Sequence, residues 1–500
     1  MLRALRHGSR LARAARILAR HNALFPLQVL PQTQPLLRFL DRFQDKTAPG
    51  RPGERLAAAL QELGPSFIKF GQSLSTRADL LGEAVARDLS LLQDRLPPFP
   101  AHEARATVEA ELEAPIGDLF ARFEDVPVAA ASIAQVHRAR TPDGRDVAVK
   151  VLRPGIEKAM EEDIDFFLWL AHTAEWLHPP LRRFKPVEAV QIFAATARRE
   201  MDLRLEAAAA AEFAENNADQ EGFRVPAVDW QRTARRVVTF EWVEGLPLDE
   251  RDRLLAAGFD PDAILETATR VFFNQVFRDG FFHADMHPGN MLLDAEGRIV
   301  ALDFGIMGRL DLDTRIQLAR MLMGFLSGDY ATVADVFYEA GFLPDPQARP
   351  TFVQACRAIG EPIRGQPLSR ISFARLLGQL LSVAQEFEME TQPQLLLLQK
   401  TMVMAEGVGR ALNPDVNMWT LAQPLVERWV RENMGPEAEL KRALAEGGEA
   451  LRRLPALINR GEKLLQALPL ASAPQPAGGA SAVPAWLWWV LGLAVGLALH

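Results

Sequence analysis

The spacing of apolar residues changes period several times along this chain, and each change marks a change of element. Residues 54–82 carry apolar positions three and four apart, the helical period, with Gly64-Pro65 as a break. Two shorter helices are predicted over 84–93 and 101–113, separated by the proline-rich 96–100. The period then drops to two. Residues 123–130, 134–140 and 145–152 read as strands, with Asp143-Gly144 turning the last two into a hairpin. Helical spacing returns over 156–177 and again over 187–216, which reads as one long helix. A strand at 235–240, a helix at 264–278 and two strand-like runs, MLLD and RIVALD, follow. Beyond residue 305 only helices are predicted, over 312–326, 330–340, 350–359, 373–387 and 393–412. The four-leucine run Leu395–Leu398 opens the last as a deeply buried helix. No segment repeats another, and strands set among helices make the fold α+β.

The two ends differ from this middle. Residues 1–40 hold no Asp or Glu, while Arg3, Arg6, Arg10, Arg13, Arg16 and Arg20 interleave with apolar residues as in a basic amphipathic helix. Three readings stand: a helix lying on an anionic membrane surface, a mitochondrial transit peptide, or a helix packed on the main domain. The first and third are preferred, because a membrane segment is expected at the other end. There, an Ala/Pro/Gly linker over 467–484 leads into the uninterrupted apolar run 485–499. Fifteen helical residues reach about 22 Å against a hydrocarbon core of roughly 30 Å. Trp486, Trp488 and Trp489 stand at one end as an interfacial belt would. Arg452, Arg453, Arg460 and Lys463 precede the run and nothing charged follows it, which puts the body in the cytoplasm and the C-terminus across the membrane. Gly492 and Gly496 have the spacing that lets two such helices pair, as in a homodimer.

Composition narrows the classes. The 500 residues are 48% hydrophobic and 24% charged, ordinary values for a globular protein of several domains. A net charge of -8 gives no basis for nucleic-acid binding. One cysteine, Cys356, excludes an internal disulfide and a cysteine-built zinc site.

The chemistry lies in two runs, HADMHPGN at 283–290 and Asp303-Phe304-Gly305. Asp285 is followed five positions on by Asn290, and Asp303 opens the Asp-Phe-Gly. Protein kinases pair a catalytic-loop Asp and Asn with an Asp-Phe-Gly in this order. Phosphoryl transfer needs a carboxylate beside the attacking oxygen, here Asp285. It also needs oxygen ligands for Mg²⁺, which Asn290 and Asp303 can supply. Ala284 stands where a kinase has Arg, the usual partner of a phosphorylated activation loop. Upstream, Val147-Ala148-Val149-Lys150 matches the strand whose Lys holds the α- and β-phosphates. Just before it, Val128, Ala129, Ala130, Ala131, Ser132, Ile133, Ala134, Gln135 and Val136 occupy the place of a glycine-rich phosphate loop. Alanine allows the backbone less freedom to wrap phosphate than glycine does. The run Glu241-Trp242-Val243-Glu244-Gly245 resembles the hinge that receives an adenine ring, with Glu241 and Val243 as its contacts. Together these predict a two-lobed, protein-kinase-like fold binding ATP and Mg²⁺.

The whole set, Lys69-x-Gly71-Gln72, the Ala-rich loop, VAVK, Glu200-x-Asp202, HADMHPGN and DFG, resembles the UbiB family of atypical kinase-like proteins, and most closely its bacterial members with a hydrophobic tail. The resemblance runs from about residue 54 to about 435. It implies an ATP-dependent factor supporting or regulating ubiquinone biosynthesis at the bacterial inner membrane, with mitochondria as the alternative location. The implied partners are the membrane, isoprenoid quinone intermediates and the enzymes that process them. It further implies that Glu206 pairs with Lys150, that Asp285 accepts the proton, and that the segment bearing Lys69 and Gln72 folds over the nucleotide cleft. There Lys69 would pair with Glu200 of the Glu200-x-Asp202 motif.

The expected division is a basic segment 1–53, a helical extension 54–120, an N-lobe 121–247, a C-lobe 248–435, a helix and linker 436–484, and a transmembrane tail 485–500. Two functions compete: an ATPase or kinase, and a nucleotide-gated protein that binds or presents quinone intermediates with little turnover. A complete set of Lys150, Asp285, Asn290 and Asp303 favours the first. A monooxygenase is disfavoured, since no Gly-x-Gly-x-x-Gly follows a strand and His283 and His287 lie in a proline-broken loop.

Overall fold

The computed structural model describes residues 2–25, 49–75, 81–90, 92, 96–341, 348–362, 372–387, 392–415 and 418–435. The chain forms two compact units, residues 1–431 and 432–500. The linker and the tail at 485–499 lie outside the described residues. Among those described, no helix is long and apolar enough to cross a membrane.

The first unit begins with α1 (Leu2–Arg20). Ala14 and Ile17 on its inner face join Leu56, Ala59 and Leu60 of α2 (Pro52–Leu63) in one apolar cluster. His7 stacks on Trp169 with centroids 5.2 Å apart. Arg10 donates to the Glu162 carbonyl at 2.8 Å, and Arg20 pairs with Glu62. Of the three readings of this segment, these contacts describe the packed helix; Arg13 and Arg16 stay exposed. After the break at Gly64 come α3 (Pro65–Leu74), which bears Lys69, then α4 (Glu83–Ser90), α5 (Ala101–Leu112) and the single turn α6 (Ile116–Leu119).

A five-stranded antiparallel sheet forms the first lobe. Its strands are β1 (Arg122–Phe123), β2 (Ala129–Ala130), β3 (Ala134–Arg140), β4 (Asp146–Leu152) and β6 (Val237–Glu241). The predicted strand 123–130 is broken into β1 and β2. Both pair with β3, but the four-residue step from Glu124 to Val128 spans only Arg138 to Val136 on the partner. Pro127 in that bulge has no N–H to give the ladder. One face, with Val147, Val149 and Val151, packs on Phe99 and on Ala104 and Val108 of α5.

Across β4 lie α7 (Ile156–Leu177), α8 (Pro186–Glu200) and α9 (Leu203–Asn216). The single helix expected over 187–216 is therefore two. Asp202 is extended and caps α9, accepting from the Arg204 N–H at 3.2 Å. The Leu203 N–H leaves the helical ladder for the Arg235 carbonyl. Asp202→Ala is expected to cost about 1 kcal/mol, the usual worth of an N-cap, seen as a lower thermal midpoint. The break itself should persist, because Arg235 still holds Leu203.

The second lobe holds β5 (Phe223–Arg224), β7 (Leu246–Pro247), α10 (Arg251–Ala256) and α11 (Pro261–Phe273). The helix expected through residue 278 changes at Asn274 into a π turn ending on Gly280, with φ 64. A Cβ at Gly280 would lie 2.2 Å from the Leu310 carbonyl oxygen, so only glycine fits. The chain then enters β8 (Phe281–His283), β9 (Met291–Leu293), β10 (Ile299–Ala301) and β11 (Met307–Arg309). β11 corrects the expectation of helices only beyond residue 305. It pairs with β8, Met307 opposite His283, and so folds the Asp-Phe-Gly segment back onto the start of the catalytic loop. From there the structure is helical: α12 (Leu312–Ser327), α13 (Tyr330–Glu339), α14 (Arg349–Gly360), α15 (Phe373–Glu386), α16 (Pro393–Leu412) and α17 (Met418–Met434).

Candidate active site

Three pieces of chain meet at Lys150. On β4 it stands opposite Val136 of β3 and Val238 of β6, so period-two alternation sets it on the sheet face away from α5. Its Nζ lies 2.8 and 3.0 Å from the two Glu206 carboxylate oxygens and 3.1 Å from Asp303 Oδ1. The Lys150 side chain is 18% exposed, Glu206 7% and Asp303 51%. Burial pushes the Glu206 carboxyl up to about 7, against the pull of the Lys150 ammonium. The same ammonium holds Asp303 well below the usual carboxylate range. Burial works against the charge on Lys150, but Asp303 and Glu206 outweigh it and raise its pKa.

Packing explains why these groups meet. Phe213 lies two helical turns past Glu206 on α9, on the same face. Its ring is 5.8 Å from Phe304 and 6.2 Å from His283. Phe304 also touches His283 and Phe240. This buried aromatic group ties the Glu206 helix to both chemical loops. Asp303, at φ 56, is left-handed, the turn that sends Phe304 inward and the carboxylate to Lys150.

The catalytic loop is held from within. His283 is buried; its Nε2 donates to the Leu302 carbonyl at 3.0 Å and its Nδ1 accepts from the Asp285 N–H at 3.2 Å. His287 Nδ1 accepts from the Gly289 N–H. Asn290 Nδ2 donates to the Asp285 carbonyl at 3.1 Å, and the Leu302 N–H donates to the Asn290 carbonyl. Asn290 and Asp303 therefore flank the β9–β10 hairpin, Asn290 just before β9 and Asp303 just past β10. Asn290 keeps its amide oxygen as an acceptor, and Asp303 supplies a half-exposed carboxylate. These are hard oxygen donors of the kind Mg²⁺ takes beside phosphate oxygens. Among the described residues no three His, Cys, Asp or Glu side chains form a metal cage; a Mg²⁺ held between nucleotide phosphates does not use one.

The expected phosphate loop is only partly as read. Val128 and Ala129 are exposed, and Ala130 and Ala131 are half-buried. Ser132, Ile133, Ala134 and Gln135 are buried. Gln135 is spent on the opposite face from Lys150. It accepts from the Phe99 N–H at 3.0 Å, donates to the Phe99 carbonyl at 3.3 Å, and meets His137 at 2.8 Å. On β3, Ala134 and Val136 lie on the face of Lys150, with Val136 directly opposite it. The loop is clamped by Arg153, whose guanidinium donates to the Ala131 and Ser132 carbonyls and whose N–H donates to the Ile133 carbonyl. At the hinge, the Glu241 carboxylate is engaged by Arg224 at 2.9 Å, and Val243 is half-buried.

Lys69 lies 3.1 Å from Glu200, and its charge contributes to the lowered pKa of Asp303. Its two motif neighbours have structural partners. Gln72 donates to the Leu92 carbonyl at 3.3 Å, and Asp202 caps α9. Sequence reading missed Lys400, whose Nζ is 3.1 Å from Asp285 Oδ1. The signal was present: Lys400 is the one charged residue between positions 391 and 405.

A sheet-and-helix pair of lobes, a strand lysine bonded to a helix glutamate, and an Asp-Asn loop beside an Asp-Phe-Gly define a protein-kinase-like protein. The chain matches the ABC1 atypical kinase-like domain over residues 91–337 and the UbiB helical domain over 356–417. A Marinobacter nauticus protein named "Probable protein kinase UbiB" is 44% identical over 393 residues, covering 78% of this chain and 72% of that one. A Pseudomonas entomophila protein of the same name is 40% identical over 471 residues, covering 92% and 87%. A solved complex of Rv3197 with erythromycin from Mycobacterium tuberculosis is 27% identical, covers 71% of this chain and 90% of that one, and has a TM-score of 0.47. The chain belongs to the UbiB family of atypical kinase-like proteins.

Proposed function

We propose that this protein is a Mg²⁺-dependent ATPase or phosphotransferase that supports ubiquinone biosynthesis at the cytoplasmic face of a bacterial inner membrane. The observation that carries the reading is the Lys150–Glu206–Asp303 cluster, formed by three separate segments beside a fourth, the Asp285–Asn290 loop. A binding scaffold has no need to bring these groups together. Lys150 holds the α- and β-phosphates, oriented by Glu206. Mg²⁺, when bound to Asn290 and Asp303, neutralises phosphate charge. Asp285 takes the proton of the acceptor hydroxyl or water as the acceptor oxygen bonds to the terminal phosphorus and the β,γ-bridging oxygen leaves with ADP. In this reading the apolar run 485–499 and the basic face of α1 hold the body at the membrane.

The second reading, a nucleotide-gated binder of quinone intermediates, is favoured by one feature. An apolar cleft lies among the helices of the second lobe, lined by Phe273, Val276, Phe277, Met321, Leu376 and Leu398. A single-turnover assay with labelled ATP, with and without membranes bearing quinone precursors, separates the two. Mg²⁺-dependent release or transfer of the label is the expected result. Bound nucleotide left uncleaved in both conditions would sink the phosphotransferase reading and leave the binder.

A further inference from the structure

The catalytic loop borrows its cation from outside the kinase-like domain. Residues 281–290 contain no Lys or Arg. The side chain two positions past Asp285 is His287, already used to fix Gly289. Lys400 fills that lack from α16, within the stretch that matches the UbiB helical domain. Its Nζ is 3.1 Å from Asp285 Oδ1. The helix that carries it is firmly seated, with Leu395, Leu398, Thr401 and Met402 buried. The side chain itself is 46% exposed, against 14% for Lys69 and 18% for Lys150. Lys400 is therefore a flexible ammonium on a rigid base, while the other two lysines of the cleft are held in place.

An acceptor must lie against Asp285 to give up its proton. An ammonium in contact with Asp285 is then within reach of the acceptor oxygen and of the phosphorus it attacks. We propose that Lys400 contacts the terminal phosphoryl group of the bound nucleotide on the side from which the acceptor approaches. Lysine suits this role, as a compact point charge with three donors on a flexible stem. During transfer, charge spreads over the equatorial oxygens of the phosphoryl group. Lys400 can exchange its bond to Asp285 for one to those oxygens as Asp285 takes the acceptor's proton. The helical domain would then be part of the active site, and any partner that shifts α16 would change turnover. This inference rests on the phosphotransferase reading.

The test uses full-length Lys400→Met, which keeps the stem and loses the charge, with Lys400→Arg alongside. Affinity is measured for Mg-ADP and for a non-hydrolysable Mg-ATP analogue. Lys400→Met is expected to lose roughly tenfold in affinity for the analogue, the scale of one charged hydrogen bond. Mg-ADP, which lacks the terminal phosphoryl group, should bind nearly as before, and the thermal midpoint should hold. The single-turnover rate should fall on the order of a hundredfold, as when one transition-state donor is removed, with Lys400→Arg recovering part of it. Equal losses for both nucleotides, or no loss for either, would overturn the proposal, because Lys400 would then serve only to hold Asp285. Both nucleotides bind without turnover, so this result stands apart from the phosphotransferase reading. That reading fails separately, if wild-type protein shows no Mg²⁺-dependent cleavage.

Discussion

Asp303→Asn should cut ATP turnover on the order of a thousandfold while leaving the fold in place, the scale expected when phosphoryl transfer loses a charged metal ligand. The substitution is chosen for the backbone. Asp303 has φ 56, and Asn tolerates the left-handed region almost as well as Asp. An Asn amide oxygen can still accept from Lys150 and from the Gly305 N–H, so the turn that buries Phe304 should survive. What disappears is the negative charge. Lys150 is left with Glu206 as its one anionic partner, and Mg²⁺ loses its only charged ligand in the proposed set. Asp303→Ala would confuse the two effects, because alanine at this φ adds strain of about 1–2 kcal/mol. ATP hydrolysis and thermal unfolding, measured together, decide the matter. A variant that unfolds at the wild-type temperature and hydrolyses ATP at the wild-type rate would remove Asp303 from the mechanism.

Which parts of this site were legible in the sequence depends on the range of the interaction that fixed them. The β3–β4 hairpin is local: Asp143-Gly144 turns it and alternating valines face its core, so the position of Lys150 follows from periodicity alone. The two chemical runs were legible because spacing within a short loop fixes relative position. The break between α8 and α9 was not, since apolar and alanine-rich positions continue the helical pattern across it. It depends on the Leu203 N–H finding Arg235, a partner thirty-two positions away. Gln135 was misread for a related reason. Its residue type suits a phosphate loop, but alternation with Val136 turns it toward Phe99. Lys400 lies 115 positions from Asp285, and no local pattern joins them.

Releasing α3 from the cleft should increase phosphorylation of the protein on itself, and Phe70→Ala should do so more than Lys69→Ala. The motif read from the sequence centres on Lys69 and its pair with Glu200. The structure divides the work differently. Phe70 stacks on Phe167 at 4.4 Å and meets Phe193 edge-on at 5.2 Å, and Phe67 packs on Phe167 at 4.9 Å. Ile68 is fully buried. Apolar contact of this kind holds a helix whether or not one ion pair is present. Lys69→Ala should therefore leave α3 seated and act on charge alone, by removing a cation that faces Asp303. Its effect on the thermal midpoint should be small. Phe70→Ala removes the central ring, at a cost of about 3 kcal/mol, and lets α3 lift from the site. Incubation with Mg-ATP followed by intact mass measurement counts the phosphates added, and thermal unfolding reports the packing. An equal rise in both variants would mean that the ion pair, not the aromatic packing, holds the segment down. A Lys69→Ala protein that binds nucleotide, keeps its thermal midpoint and transfers nothing would show that Lys69 takes part in the chemistry and does not restrain it.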